Sequence, residues 1–261
     1  MVDWVIFNDS IYFGVCIAML ILAPIVFVAL HFISAGYGMM YTRKWGPSVS
    51  NRLGWVLMEA PSFLGMLLLW VMSPRAGELA PSVMALLFLI HYFNRSFIFP
   101  LRLRGANRMP LSIAAMGIIF NLINSYLIGG WLFYVAPAGY YTSQWLVTPQ
   151  FIVGVVLFFS GMGINMQSDH IIRHLRKPGD TRHYIPQGGM YRYVTSANYF
   201  GEFLEWTGYA VMTWSLGGVV FAVWTFANLA PRARKLHQRY VSEFGNEYTR
   251  LKRKYIIPYI Y

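Results

Sequence analysis

The chain has 261 residues, of which 57% are hydrophobic and 12% charged, and its net charge is +11. A soluble domain is roughly 45–50% apolar and about 25% charged, so this chain lacks the charge to cover a water-facing surface; a bilayer removes that need by solvating apolar side chains. The single cysteine, Cys16, lies in an apolar run and excludes an internal disulfide and any zinc or iron–sulfur cluster built from thiolates.

Apolar runs of about 20 residues cross ~30 Å of hydrocarbon. In chain order they fall at 11–35, 53–72, 81–101, 111–135 and 151–168, and a longer apolar region covers 197–230. Asp3 and Asp9 precede the first run and no Lys or Arg does, the wrong flank for a cleaved signal peptide, so it reads as a retained span. Every Lys and Arg except Arg75 lies in alternate connections or in the tail. The positive-inside rule places those segments in the cytoplasm and the amino terminus outside. Region 197–230 has basic flanks on both sides, so it must cross an even number of times. Two crossings fit, with a tight turn near 215–218 and one arm extending into a flanking segment. The expectation is an all-α integral membrane protein, one domain over 1–261, with seven transmembrane helices, amino terminus outside and carboxyl terminus cytoplasmic. Turns fall at 178–180 and 188–189. Positive charge gathered at span ends speaks for a membrane and against nucleic acid as the partner.

Ionisable groups inside spans are costly and usually have a task. Glu59 sits mid-run, followed by Pro61. Burial disfavours its charged form, so it reads as a proton donor or substrate anchor, or else as an acid hydrogen-bonded to a neighbouring helix. The third run carries His91, Tyr92 and Arg95; the last two are three apart and share a helix face, as a site or as an interfacial belt. Asn165, Asp169, Arg173 and Arg176 form one stripe at the end of the fifth run, either a solvated helix end or donors and guanidinium groups for a dinucleotide. Asn198, Glu202 and Glu205 open the sixth, and carboxylates on a membrane helix call for an interior role. One polar cavity opening to the cytoplasm reconciles all four places.

Absences narrow the chemistry. No G-x-G-x-x-G follows a strand, since Gly161-Met162-Gly163 lies within a span, which excludes a Rossmann domain. There is no Walker motif and no lysine between Lys44 and Lys177, and the histidines are scattered apart from His170 and His174, four residues apart, so no metal site is expected.

The motif from Asn165 through Asp169, Arg173 and Arg176 to Asp180, followed by Ile185-Pro186 and Gly188-Gly189 and then by Asn198, Gly201, Glu202, Glu205 and Trp206, resembles the signature of the steroid 5α-reductase family. The likeness is close over 151–261 and looser around Gly36-Tyr37-Gly38, Glu59-Ala60-Pro61 and His91-Tyr92. It implies a seven-helix membrane fold, such as that of a bacterial homologue in an inner membrane or its equivalent. Within it, 1–110 would lie on the substrate side and 151–261 would hold NADPH at the cytoplasmic face. The implied reaction is hydride transfer to the alkene of a 3-oxo-Δ4-steroid that arrives from the bilayer. By the family pattern, Glu59 and Tyr92 hold the substrate carbonyl, and Asn165, Asp169, Arg173, Arg176, Tyr184, Asn198, Glu202, His237 and Tyr240 contact the cofactor. Tyr37, Arg95, Arg104 and Arg253 are further carry-overs. The chain departs from the pattern at Arg182-His183-Tyr184 and at Lys235-Leu236-His237-Gln238-Arg239-Tyr240, which bears on the phosphate contacts. Other readings are a membrane enoyl or polyprenol reductase, an isoprenylcysteine-type methyltransferase, and a seven-span transporter or receptor. Oligomeric state is open, with a monomer sufficient for the chemistry.

Overall fold

Helix signals in the sequence become helices with recognisable ends. The computed structural model describes residues 7–33, 36, 38, 41–103, 105, 107–177, 180 and 182–261. Helix α1 (Asp9–Phe32) starts where the Asn8 side chain accepts from Ser10 N, and α2 (Asn51–Val71) where Ser50 Oγ accepts from Leu53 N. Helix α3 (Leu79–Phe93) passes through a π turn (Asn94–Ile98) into the short α4 (Phe99–Arg102). Helix α5 (Leu111–Gly130) ends in a second π turn (Trp131–Val135). Thr148 caps α6 (Pro149–His174), with Pro149 at the first position, where its missing N–H costs nothing. Then follow α7 (Ala197–Thr213), α8 (Leu216–Phe244) and the short α9 (Asn246–Thr249).

Five helical stretches are long and apolar enough to cross a membrane: Asp9–Phe32, Asn51–Val71, Leu79–Arg102, Leu111–Val135 and Pro149–His174. The protein is therefore a multi-pass membrane protein by length and composition. The region expected to cross twice, 197–230, is a helical hairpin, although neither arm meets that length-and-hydropathy criterion. Its turn falls at Trp214 and Ser215, slightly ahead of the expected place, because Trp214 takes a left-handed conformation (φ 48°) and Ser215 Oγ accepts from Gly218 N to start α8. Helix α8 runs on to Phe244, so one arm does extend into the flanking segment. Helix α6 likewise continues past residue 168 to His174, because Ser168, Asp169 and His170 interrupt hydropathy without interrupting the helix.

The fold is all-helical as expected, with one small strand pair between the helices. Strands β1 (Ser48–Ser50) and β2 (Arg108–Pro110) pair antiparallel, Val49 opposite Met109. Three residues each are too short to show a strand period in sequence. The pair is held partly by side chains, as Arg108 donates to Ser48 Oγ (2.9 Å) and to the Ser48 carbonyl.

The main core joins α3, α5, α6, α7 and α8 around Phe88, Tyr92, Phe158, Trp206, Tyr209 and Phe221. Helices α6 and α7 approach almost backbone to backbone. A Cβ on Gly201 would lie 2.5 Å from Asn165 N, and one on Gly208 2.5 Å from Phe158 N, and Gly154 and Gly161 meet α7 in the same way. Small residues at a membrane helix interface allow this closeness, and it sets the polar end of α6 directly against that of α7.

Candidate active site

Arg95 stands at the centre of the polar residues. The π turn that carries it shifts the helix face by one residue after Phe93, and such turns recur at functional sites. Its Nε lies 3.9 Å from Glu59 Oε1 on α2, and its Nη2 lies 3.5 Å from Glu202 Oε2 on α7. All three side chains are less than a fifth exposed. The guanidinium also sits 4.4 Å from the Trp55 ring centre and 4.8 Å from that of Phe99, which shelter it from solvent.

On the α2 side a second group of residues gathers around Asn121. The Tyr92 hydroxyl donates to Asn121 Oδ1 (3.2 Å), and Asn124 Nδ2 donates to the Tyr92 oxygen (3.1 Å). Asn121 Nδ2 donates to Glu59 Oε2 (3.2 Å) and to the Met58 carbonyl (2.6 Å). Ser62 Oγ donates to Asn121 Oδ1 (2.8 Å). Glu59 and Tyr92, from different helices, are thus bonded to the same amide. The Asn121, Asn124 and Ser62 side chains escaped the sequence reading, which weighed charges inside spans and passed over amides and hydroxyls. Two asparagines three apart in an apolar run were the available signal.

On the α6/α7 side, Asn165 Nδ2 donates to the Asn198 carbonyl (2.9 Å) and Asn198 Nδ2 to Asp169 Oδ1 (3.2 Å). Asp169 lies within electrostatic reach of Arg95 and Arg173. Asn165, Asp169 and Arg173 line a narrow cleft with Asn94, Phe99, Met166 and Arg102, holding about 250 Å³ of unfilled space out to its mouth. Arg176 does not join them. It follows Leu175, the residue that closes α6, and is exposed, so helical spacing no longer aligns it with the stripe.

The carboxyl-terminal residues approach from the cytoplasmic side of the expected topology. Arg253 is 6% exposed; Nη2 donates to Gln187 Oε1 (3.0 Å), while Nε and Nη1 have no hydrogen-bond partner. Burial pushes its pKa down, against the nearby Tyr248, Tyr240 and Tyr191. The buried Tyr191 hydroxyl and the Ser168 and Ser196 Oγ atoms are also without partners. His237 Nδ1 lies 2.7 Å from Thr195 Oγ1, which also lies 2.6 Å from the Tyr248 hydroxyl. Tyr240 packs in an aromatic group with Tyr248 and Phe244. Tyr184 instead donates to Asp180 Oδ2 (2.6 Å), and Arg182 bonds both oxygens of the same carboxylate (3.1 and 2.9 Å). Arg182, then Tyr184, hold the Asp180 carboxyl well below its usual range. Tyr37 and Arg104 lie outside the described residues.

Glu205 is not part of the Arg95 group. Its Oε1 lies 2.7 Å from His91 Nδ1, and both residues are buried beside Trp206. His91 thus partners one Glu205 oxygen, while Oε2 is buried without a hydrogen-bond partner.

The donor set suits the dinucleotide that the resemblance implies. Unpartnered buried atoms are uncommon in folded proteins; besides Asn51 Oδ1, Ser96 Oγ and Glu205 Oε2, those among the described residues are the Arg253 guanidinium and the Ser168, Tyr191 and Ser196 hydroxyls, groups of the kind that phosphate and ribose oxygens engage. Only about 20 Å³ of the cleft admits the centre of a water-sized sphere, far below the ~300–1,000 Å³ of ordinary ligand pockets, so a whole dinucleotide requires its walls to part.

A family model described as 3-oxo-5-alpha-steroid 4-dehydrogenase matches residues 107–261. The chain is 40% identical over 260 residues to the steroid 5-alpha-reductase DET2 of Arabidopsis thaliana, covering 97% of this chain and 98% of that protein. It is 41% identical to the 3-oxo-5-alpha-steroid 4-dehydrogenase 1 of Mus musculus, with 92% of each chain covered. To the protein of the same name from Homo sapiens it is 42% identical, over 82% of this chain and 81% of that one. The chain belongs to the 3-oxo-5-alpha-steroid 4-dehydrogenase family, the steroid 5-alpha-reductases, and is an oxidoreductase of that family.

Proposed function

We propose that this protein reduces the Δ4 double bond of a 3-oxo-Δ4-steroid to the 5α-reduced 3-oxo-steroid with NADPH. The observation that carries the reading is the convergence of Glu59 and Tyr92, from two helices, on one buried amide beside Arg95. In the matching topology the chain crosses seven times, with the amino terminus outside and the basic loops and cofactor site in the cytoplasm. The steroid, an apolar molecule, enters from the lipid.

The chemistry that a bound nicotinamide supplies is a hydride for the carbon β to the carbonyl. Charge then develops on the carbonyl oxygen, and the protein's task is to stabilise it with donors already in place. Tyr92 supplies its O–H. Glu59 donates only when protonated, and the Arg95 cation beside it adds positive potential near the developing charge. Asn165, Asp169, Arg173, Asn198, Glu202, His237, Tyr240 and Arg253 are the residues that would hold the cofactor, with Arg253 and Tyr191 supplying donors the fold does not otherwise use. The adjoining α6/α7 interface is closely packed, which holds Asn165 and Asp169 against Asn198 and Glu202.

The test is NADPH oxidation by detergent-solubilised protein on addition of a 3-oxo-Δ4-steroid, with NADH, an enoyl thioester and a polyprenol in parallel. Steroid-dependent oxidation of NADPH with a 5α product is expected, and oxidation only with another acceptor overturns the assignment. Glu59→Gln, which keeps a donor but cannot supply an acid proton, should lower turnover by about tenfold or more while NADPH still binds.

A further inference from the structure

We infer that Asn121 and Ser62 are positioning residues that form a release device for the Tyr92 proton. The inference rests on the carbonyl-binding reading of Glu59 and Tyr92.

The orientation of the Asn121 amide is settled by its neighbours. The atom 2.6 Å from the Met58 carbonyl must be a donor, so it is Nδ2, and Oδ1 faces Ser62 and Tyr92. Asn121 Oδ1 therefore accepts from two hydroxyls, Ser62 at 2.8 Å and Tyr92 at 3.2 Å. Tyr92 has one proton, and Asn124 Nδ2 already donates to its oxygen at 3.1 Å. At rest the phenol proton is thus committed to Asn121. A substrate carbonyl must take it from there.

Such an exchange is ordinarily costly, because it strands a buried acceptor. Here it does not. When Tyr92 turns its proton to the carbonyl, the shorter Ser62 bond still satisfies Asn121 Oδ1, and Asn124 still donates to the Tyr92 oxygen. Ser62, Asn121 and Asn124 are all buried, so no water can stand in for either bond. Asn121 Nδ2 holds the Glu59 carboxyl throughout. The amide thereby keeps both carbonyl-binding groups aimed at one point while making the transfer of one proton donor inexpensive.

The prediction differs from that of a packing role. In Ser62→Ala, release of Tyr92 leaves Oδ1 without a donor, and kcat/KM for the enone should fall about tenfold with NADPH affinity and melting temperature unchanged. In Asn121→Asp, an ionised carboxylate faces Glu59 and the Met58 carbonyl, whereas a protonated one restores both a donor and an acceptor. Its activity relative to the parent should therefore rise as pH falls. Tyr92→Phe, assayed alongside, separates the two levels. Parent-like turnover in Tyr92→Phe removes the carbonyl-binding reading itself. A crippled Tyr92→Phe with a parent-like Ser62→Ala, or a pH-independent ratio for a folded Asn121→Asp, overturns the release device alone.

Discussion

The polar groups on the two sides of Arg95 follow different rules. On the α2/α5 side the polar atoms are bonded to one another: one amide joins Glu59, Tyr92, Ser62 and Met58, and Asn124 completes the ring. On the side of α6, α7 and the carboxyl-terminal segment, Ser168, Tyr191, Ser196 and two nitrogens of Arg253 are buried without a partner. A satisfied network holds a shape, whereas an unsatisfied one is retained where something else completes it. On the proposed function, a small neutral carbonyl would meet the first and a large anionic cofactor the second.

The comparison breaks most completely if its link is cut. Arg95→Met leaves Glu59 and Glu202 buried without their cation, and breaking such a pair costs about 3–5 kcal/mol. A large fall in the melting temperature of the solubilised protein is expected, and an unchanged melt would show that the two sides are independent. Next in size is the helix contact that sets the unsatisfied side. Gly201→Ala forces a methyl against the α6 backbone and should cost about 1–3 kcal/mol of stability. Gly163→Ala is the control, since a Cβ there meets nothing within 4 Å, and it should be neutral or stabilising. Equal losses in the two variants would remove the close-packing argument.

A finer test ranks the cations. Arg253→Lys gives up unpartnered donors poised for a ligand and should raise the KM for NADPH about tenfold, while exposed Arg176→Ala should raise it only about two- to threefold. The reverse order would place the phosphates at the end of α6. The smallest effect concerns the loop after it. Because Arg182 and Tyr184 depress the Asp180 pKa, the stability this carboxylate contributes is fully present above its unfolded-state value and is lost as pH falls through the lower folded one. Hydrogen-exchange protection around 182–185, taken relative to the intrinsic rate at each pH, should therefore stay constant from pH 7 down to pH about 4 and fall only below it. Protection already lost at pH 6 would assign the loop's order to other contacts.

Much of the site was legible as a set of residues and little of it as a set of contacts. Glu59, Tyr92, Arg95, Asp169, Asn198 and Glu202 stood out because a charge or amide within an apolar run is conspicuous on its own. Glu205 stood out for the same reason, but its partner, His91, lies on a helix remote in sequence. Asn121 was passed over because an uncharged amide barely disturbs hydropathy. The stripe drawn at helical spacing does not carry through to Arg176, because α6 ends at His174.

The amino-acid sequence alone determined that the chain lives in a membrane, roughly where it crosses, and which family it resembles. Those are properties of composition, of apolar run length and of motifs, each readable within a local window. Tertiary structure decided which side chains meet. Helical periodicity defines the faces of each helix but not the rotation or depth of one helix against another. Here these were set by glycines that let α6 touch α7, by a π turn that re-aims Arg95, and by an asparagine on α5 positioned between α2 and α3.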